Sequence, residues 1–319
     1  MYREILPSVL RSYGIKYKQI MDFQTGYRNE IWPVIISDGQ IINVTFFKCE
    51  PGIVDRINRA DSVSGYLSTC GMKTRVRIDQ RLLRLSTGKR TTYAGVYSYL
   101  PGVTIPWDDY TMERIKNLGG TLGAMHRYLS EFNPSNLPSV YEEYHSILTK
   151  MKAYFSRNGV ANALNNKLGL SIDPAVFDEY VRLMSDQNLI EGQQPLHMDF
   201  VRGNVLFESN EVVGILDFEK TAMGHPVVDI ARTLAFLLVD CKHKTAQKVT
   251  KYFLYSGYKK RGMNNDIGDD EIRLKLVEMF LLYDFYKFLA HNPYESLGKN
   301  EHYCRTKDIL VKLGMISLS

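Results

Sequence analysis

The chain has 319 residues, 45% hydrophobic and 24% charged, a length that predicts two lobes and a composition ordinary for a soluble globular protein. Its net charge of +5 is spread along the sequence. Nucleic-acid binding would need a clustered basic face, and the densest run, Lys259-Lys260-Arg261, is short enough to be a solvated helix end. The four cysteines, Cys49, Cys70, Cys241 and Cys304, form no CxxC pair, which speaks against a disulfide framework or zinc knuckle and fits a reducing interior. The start, Met1-Tyr2-Arg3-Glu4, lacks a signal-peptide apolar run, and no apolar stretch reaches the ~20 residues that span a bilayer. The expectation is a cytoplasmic protein with no membrane and no nucleic-acid partner; the sequon Asn43-Val44-Thr45 reads as chance.

In chain order, Ile5, Leu6, Val9 and Leu10 at helical spacing predict a helix over 2–12. Strand-like segments follow at 16–23, 31–37 and 40–48, the last two around the hairpin signal Asp38-Gly39. A helix is predicted over 53–69, closing near Gly71, then strands at 74–85 and 90–99 around Ser86-Thr87-Gly88-Lys89. After Leu100-Pro101-Gly102 the pattern changes to helices at about 110–130, 138–157 and 173–188. A β-rich insert follows over 196–218, then a helical remainder over 226–314. The implied architecture is α+β: a small antiparallel β-rich lobe over 1–99, a larger mainly helical lobe over 100–319, a hinge near 97–102, and a ligand in the cleft between lobes.

The chemistry concentrates in Leu196-His197-Met198-Asp199-Phe200-Val201-Arg202-Gly203-Asn204, an HxDxxxxN pattern leading into a strand. Thirteen residues beyond Asn204, Asp217 closes a second strand, Val212 to Leu216. Phosphoryl transfer needs these types together: one carboxylate to orient or deprotonate an attacking hydroxyl, an amide and a second carboxylate to hold Mg²⁺ against nucleotide phosphates. An isolated HxD is a weak signal; the ordered set in strand context is specific.

These residues resemble the aminoglycoside phosphotransferase and choline kinase superfamily, small-molecule relatives of protein kinases. Gly224-His225-Pro226-Val227-Val228-Asp229 resembles its GxPxxD segment, Tyr99-Leu100-Pro101-Gly102 its hinge, the stretch Leu118 to His126 its LGxxLAxLH helix, and Gly26-Tyr27-Arg28-Asn29 the GxxN of its nucleotide loop. The resemblance implies a bilobal protein-kinase-like fold and ATP or GTP as phosphate donor with Mg²⁺. Asp199 would be the catalytic base or hydroxyl-orienting group, His197 a brace of the catalytic loop, and Asn204 and Asp217 the metal ligands. Lys48 would reach the α- and β-phosphates, a task that suits a flexible ammonium. The usual helix glutamate partner of that lysine is replaced by Asp61, which either pairs with it or is a solvated helix residue. Gly26 and Asn29 would offer the nucleotide loop, although GxGxxG is missing, and the backbone near Tyr99 and Leu100 would hold adenine, with Tyr97 behind it. Asp229 and His126 read as structural, the first as a helix-start carboxylate or loop brace, the second as a hydrogen-bonded core residue.

The acceptor would be a small hydroxyl compound, an aminoglycoside-type antibiotic or a metabolite such as choline or homoserine. The aromatic segment Met279 to Phe288 with Asp284 could hold a cationic amine, or simply pack the core. The acidic group Asp266, Asp269, Asp270 and Glu271 reads either as a trap for polycations or as a helix N-terminus. Three rivals stand beside this reading: a catalytically weak or inactive nucleotide-binding member, a metal hydrolase built on His197, Asp199 and Asp217, and a protein kinase, for which no activation-loop-length insert follows Asp217. The sequence leaves the oligomeric state open.

Overall fold

The computed structural model describes residues 2–25, 29–87, 90–262 and 267–318. Contacts divide the chain into a first unit, Met1–Val103 with Val213–Glu219, and a second, Thr104–Val212 with Lys220–Ser319.

The first unit is built on period-2 alternation. Helix α1 (Tyr2–Ser12) precedes strands β1 (Tyr17–Ile20), β2 (Gln24–Thr25), β3 (Glu30–Ile36) and β4 (Ile41–Lys48), then helix α2 (Ile53–Thr69) and strands β5 (Leu83–Thr87) and β6 (Arg90–Ser98). The antiparallel sheet runs β1-β3-β4-β6-β5, with β2 paired to β3. Asp38-Gly39 makes the expected hairpin turn: Gly39 takes φ 95°, and Gln40 N–H donates to Asp38 Oδ1 at 2.9 Å. On β4, Ile42, Val44 and Phe46 join Ala94 and Val96 of β6 in a core with Leu6, Val9 and Leu10 of α1. The alternate residues Phe47 and Tyr97 pack instead with Ile53 and Ile57 of α2. One sheet thus buries both faces.

The expected strand over 74–85 is shorter: only Leu83–Thr87 forms a ladder, while Thr74 bridges Ile215 and Arg77 bridges Tyr97 as isolated pairs. Those bridges also explain why Val213–Glu219 joins the first unit. Ile215 N–H donates to Lys73 O at 2.8 Å, and Arg75 N–H to Ile215 O at 3.3 Å.

The second unit is mainly helical, with α3 (Met112–Leu129) and α4 (Val140–Phe155), then helices Val176–Leu183, Pro226–Asp240, Asp270–His291 and Glu301–Lys312. Thr111 caps α3, its side chain accepting from Arg114 N–H at 3.1 Å. Residues Lys251–Tyr258 wind as a π-helix packed along α3. The approach is so close that a Cβ at Gly119 would collide with the Phe253 carbonyl oxygen, and one at Gly257 with the Lys116 carbonyl oxygen. The β-rich insert forms two small pairs: Val205–Glu208 with Glu211–Ile215, and Gln194–Leu196 with Ala222–Gly224. The second pair runs in the register Leu196↔Ala222 and Gln194↔Gly224, so the chain just before Ala222 returns beside the chain just after Leu196. No helix among the described residues is long and apolar enough to cross a membrane.

Because the obstacle at Gly119 is backbone, Gly119→Ala should cost more by overpacking than its added helix propensity returns. A net loss of about 1–3 kcal/mol is expected, read as a lower denaturation midpoint at unchanged m-value.

Candidate active site

The HxD segment leaves β-pairing at Leu196 and turns sharply, with Met198 in the left-handed region at φ 61°. That turn is held from below by a carboxylate. Asp229, in the first turn of the Pro226–Asp240 helix and fully buried, accepts from His197 N–H at 2.8 Å on Oδ2 and from Met198 N–H at 3.0 Å on Oδ1. His126 Nε2 sits 3.1 Å from the same Oδ2, and its Nδ1 is 2.8 Å from the Tyr258 hydroxyl. His126 is therefore the hydrogen-bonded core residue expected. Asp229 satisfies backbone donors of the HxD turn, while the helix N-terminus is capped by His225, whose ring accepts from Val227 N–H at 3.2 Å.

Burial alone would raise the Asp229 pKa. The His126 hydrogen bond, the two nearby histidines and the His197 N–H outweigh it and hold the pKa below the ordinary 3.8.

Above the turn, Asp199 is fixed at both ends. Its N–H donates to His197 Nδ1 at 3.2 Å, and its carbonyl accepts from Val201 N–H at 2.8 Å and Asn204 Nδ2 at 2.9 Å. Asn204 Nδ2 also reaches Asp199 Oδ2 at 3.1 Å, so one amide orients both the backbone and the carboxylate. The other carboxylate oxygen, Oδ1, meets Lys220 Nζ at 2.8 Å. Lys220 was invisible in the motif reading. It lies two residues before Ala222, and the Leu196↔Ala222 register carries it to Asp199. A short β-run ahead of the Pro226 helix start was the only sequence signal that could have pointed there. Arg202, inside the same loop, donates to Ile105 O at 3.1 Å and covers the Trp107 ring at 4.3 Å.

In the first unit, Lys48 ends β4 exposed and makes no ion pair among the described residues. Asp61 is neither its partner nor a solvated helix residue. The carboxylate lies 3.1 Å from Arg77 Nε and accepts from the Tyr97 hydroxyl at 3.3 Å. Burial pushes its pKa up, against the pull of Arg77 and Arg75. Tyr97 is fully buried, with the Arg75 guanidinium 4.5 Å over its ring. Asn29 donates to Glu219 Oε1 at 2.9 Å, and Arg56 Nε lies 3.4 Å from Glu219 Oε2, the carboxylate that closes the Asp217-Phe218-Glu219 motif. Burial and the neighbouring Asp217 raise the Glu219 pKa. Asp217 takes φ 57°, and its Oδ1 accepts one long bond from Glu219 N–H at 3.4 Å. Tyr99 and Leu100 follow β6 half-buried. Gly26, with Tyr27 and Arg28, lies outside the described residues.

A divalent cation bound with a nucleotide takes a few hard oxygens and leaves the rest of its shell to phosphate and water. Asn204 turns its Nδ2 to Asp199, which leaves Oδ1 as a metal-competent oxygen, and Asp217 offers a carboxylate with one weak donor. The donor chemistry fits Mg²⁺. Among the described residues there is no group of three or more His, Cys, Asp and Glu able to cage a metal, as the hydrolase reading requires.

The sequence profile of the phosphotransferase enzyme family matches residues 23–240. The chain belongs to this family. The chain is accordingly a small-molecule kinase with a protein-kinase-like α+β fold. Solved structures with the same fold include the amicoumacin kinase hAmiN in complex with AMP-PNP, Ca²⁺ and Ami. It has 15% identity and TM-score 0.69, over 98% of this chain and 96% of that one. The macrolide 2'-phosphotransferase MphH from Brachybacterium faecium matches at 14% identity and TM-score 0.62, over 95% of this chain and 98% of that one. A microcompartment-associated aminopropanol kinase matches at 11% identity and TM-score 0.63, over 98% of this chain and 100% of that one. No curated protein matches the sequence significantly.

Asp229→Ala would orphan two buried backbone N–H groups and one His126 bond. It should cost about 3–5 kcal/mol, seen as a fall in thermal midpoint. Since the folded pKa lies below 3.8, the contribution of the carboxylate is fully present above that pH. Wild-type stability should therefore decline on acidification below about pH 4 more steeply than that of Asp229→Asn.

Proposed function

We propose that the chain transfers the γ-phosphoryl group of ATP or GTP to a hydroxyl of a small molecule, with Asp199 as the hydroxyl-orienting base. The observation that carries this reading is the Asp199 carboxylate itself: aimed by Asn204, on a backbone hung from Asp229, with its second oxygen on an exposed lysine that can yield it. The acceptor hydroxyl would lose its proton to Asp199 as its oxygen bonds to the γ-phosphorus. The bond from phosphorus to the bridging oxygen then breaks, and the nucleoside diphosphate leaves with that electron pair.

Asn204 and Asp217 would hold Mg²⁺, which when bound neutralises phosphate charge. Lys48, exposed and without an ion pair among the described residues, would meet the phosphates of the nucleotide, with Gly26 and Asn29 contributing to their binding and the backbone at Tyr99 and Leu100 meeting the base. The complexed AMP-PNP of the amicoumacin kinase supports a nucleotide donor, and the amicoumacin, macrolide and aminopropanol kinases of the same fold support a hydroxyl-bearing antibiotic or amino alcohol as acceptor class. Asp61 would act on the nucleotide pocket only through Arg77 and Tyr97, its partners in place of Lys48. That substitution favours, as a second reading, a catalytically weak nucleotide-binding member.

The test is nucleotide consumption against a panel of aminoglycosides, macrolides, amino alcohols, hydroxy acids and sugars. Asp199→Asn should lower kcat by about 10²–10⁴ while keeping nucleotide affinity. Nucleotide with Mg²⁺ at 100 times its Kd should stabilise both proteins by about 2.7 kcal/mol. Equal, acceptor-independent turnover in wild type and variant would sink the catalytic reading. Stabilisation without any turnover would select the weak member.

A further inference from the structure

Resting on the kinase reading above, we propose that the acceptor carries an anionic group, a carboxylate or its equivalent, and that Lys287 binds it. Arg232 lies one helical turn beyond Asp229, on the helix that supports the catalytic loop, and is almost fully buried. Its guanidinium grips Asp284 with two bonds, NH1 to Oδ2 at 2.8 Å and NH2 to Oδ1 at 3.1 Å. Lys287, three residues on along the Asp270–His291 helix, brings Nζ to Oδ1 of the same carboxylate at 2.6 Å and lies 4.5 Å over the Tyr283 ring.

Two cations on one carboxylate leave one net positive charge. The Arg232 and Asp284 side chains are 2% and 5% exposed, whereas that of Lys287 is 40% exposed, so the surplus charge is available only at the lysine. The position Asp284 that could have held a cationic amine is filled from within the protein. The acidic helix start is equally occupied. Asp269 caps Glu271 N–H at 2.7 Å, Asp270 pairs with Arg273, and Glu271 pairs with Lys275 at 3.1 Å; Asp266 lies outside the described residues.

The other charges acting on this cluster balance one another. Asp199 is paired with Lys220, which lies within electrostatic reach of both Lys287 and Glu143 at the start of α4. Burial pushes the Glu143 carboxyl up and the neighbouring His302 imidazole down, which weakens both charges. Asp199 and Lys220 offset one another and burial weakens the Glu143 charge, so among the described residues the Arg232–Asp284–Lys287 group keeps its surplus positive charge, although burial also lowers the Lys287 pKa. A polycation needs an excess of acid and finds none. A monoanion finds an accessible ammonium, and taking it leaves Asp284 still doubly bonded to Arg232, so no buried charge is stranded.

The test uses the full chain with saturating nucleotide and Mg²⁺, following product by mass and ADP or GDP release. The acceptors are hydroxy carboxylates, hydroxy amino acids, neutral polyols and cationic aminoglycosides. Transfer is expected for the carboxylate-bearing classes. Lys287→Met should raise their KM by roughly 10- to 100-fold, the loss of one charge-assisted bond, with little change in kcat, and Lys287→Arg should restore most of it. Transfer to cationic or neutral acceptors alone, or a KM indifferent to Lys287→Met, overturns this inference and leaves the kinase reading standing. No transfer to any class, with Asp199→Asn indistinguishable from wild type, overturns both. Should Lys287→Met fail to fold, the ranking of acceptor classes by the wild-type chain decides the matter.

Discussion

The buried carboxylate of Asp229 is the point on which the His197–Met198 turn depends. Two consecutive backbone amides, those of His197 and Met198, face inward at a turn with left-handed φ, where neither a helix nor a strand partner is available. Left alone, each would carry the cost of an unmet buried donor. A carboxylate repays that cost best because it accepts from both at once. It can stay charged in a fully buried place only because His126 completes its shell, anchored in turn by Tyr258. The segment above the turn inherits this support: Asp199 directly follows Met198, whose N–H is held by Asp229.

Much of this was legible in the sequence, for reasons that differ by residue. The β3–β4 hairpin was readable because Asp38-Gly39 is a local signal, and α2 was readable to its bounds because Ile53, Ile57, Ala60, Val63 and Leu67 repeat at the helical period. Asp199 and Asn204 stood out as members of one ordered motif, and the structure joins them through two Asn204 Nδ2 bonds. Residues 74–82 misled because their alternation is that of a strand, while the structure gives them single bridges to Ile215 and Tyr97 in place of a ladder.

The misses share one cause. Lys220, Arg77 and Arg232 act through partners distant in sequence, and no local pattern encodes such a pairing. Asp284 reads alone as a receptor for cations; it reads as an occupied site only once Arg232, 52 positions earlier, is seen to hold it. Asp61 likewise invited pairing with Lys48, and only the fold shows Arg77 and Tyr97 in that place.

A division of labour follows from burial. The groups that fix position, Asp229, His126, His197 and the Arg232–Asp284 pair, are almost wholly out of water, where a hydrogen bond is strong and its loss expensive. The lysines Lys48, Lys220 and Lys287 sit partly or fully exposed on flexible stems, where an ion pair contributes little and is readily exchanged. Each of the two carboxylates also has a second partner besides its lysine: Asp199 has Asn204 and Asp284 has Arg232, so on the proposed reading either lysine could turn to a ligand without stranding its carboxylate. The same division separates the consequences of change. Substitutions at the buried set should be felt as stability, and those at the exposed lysines as affinity and rate, because only the former strand an unpaired charge or donor inside the fold.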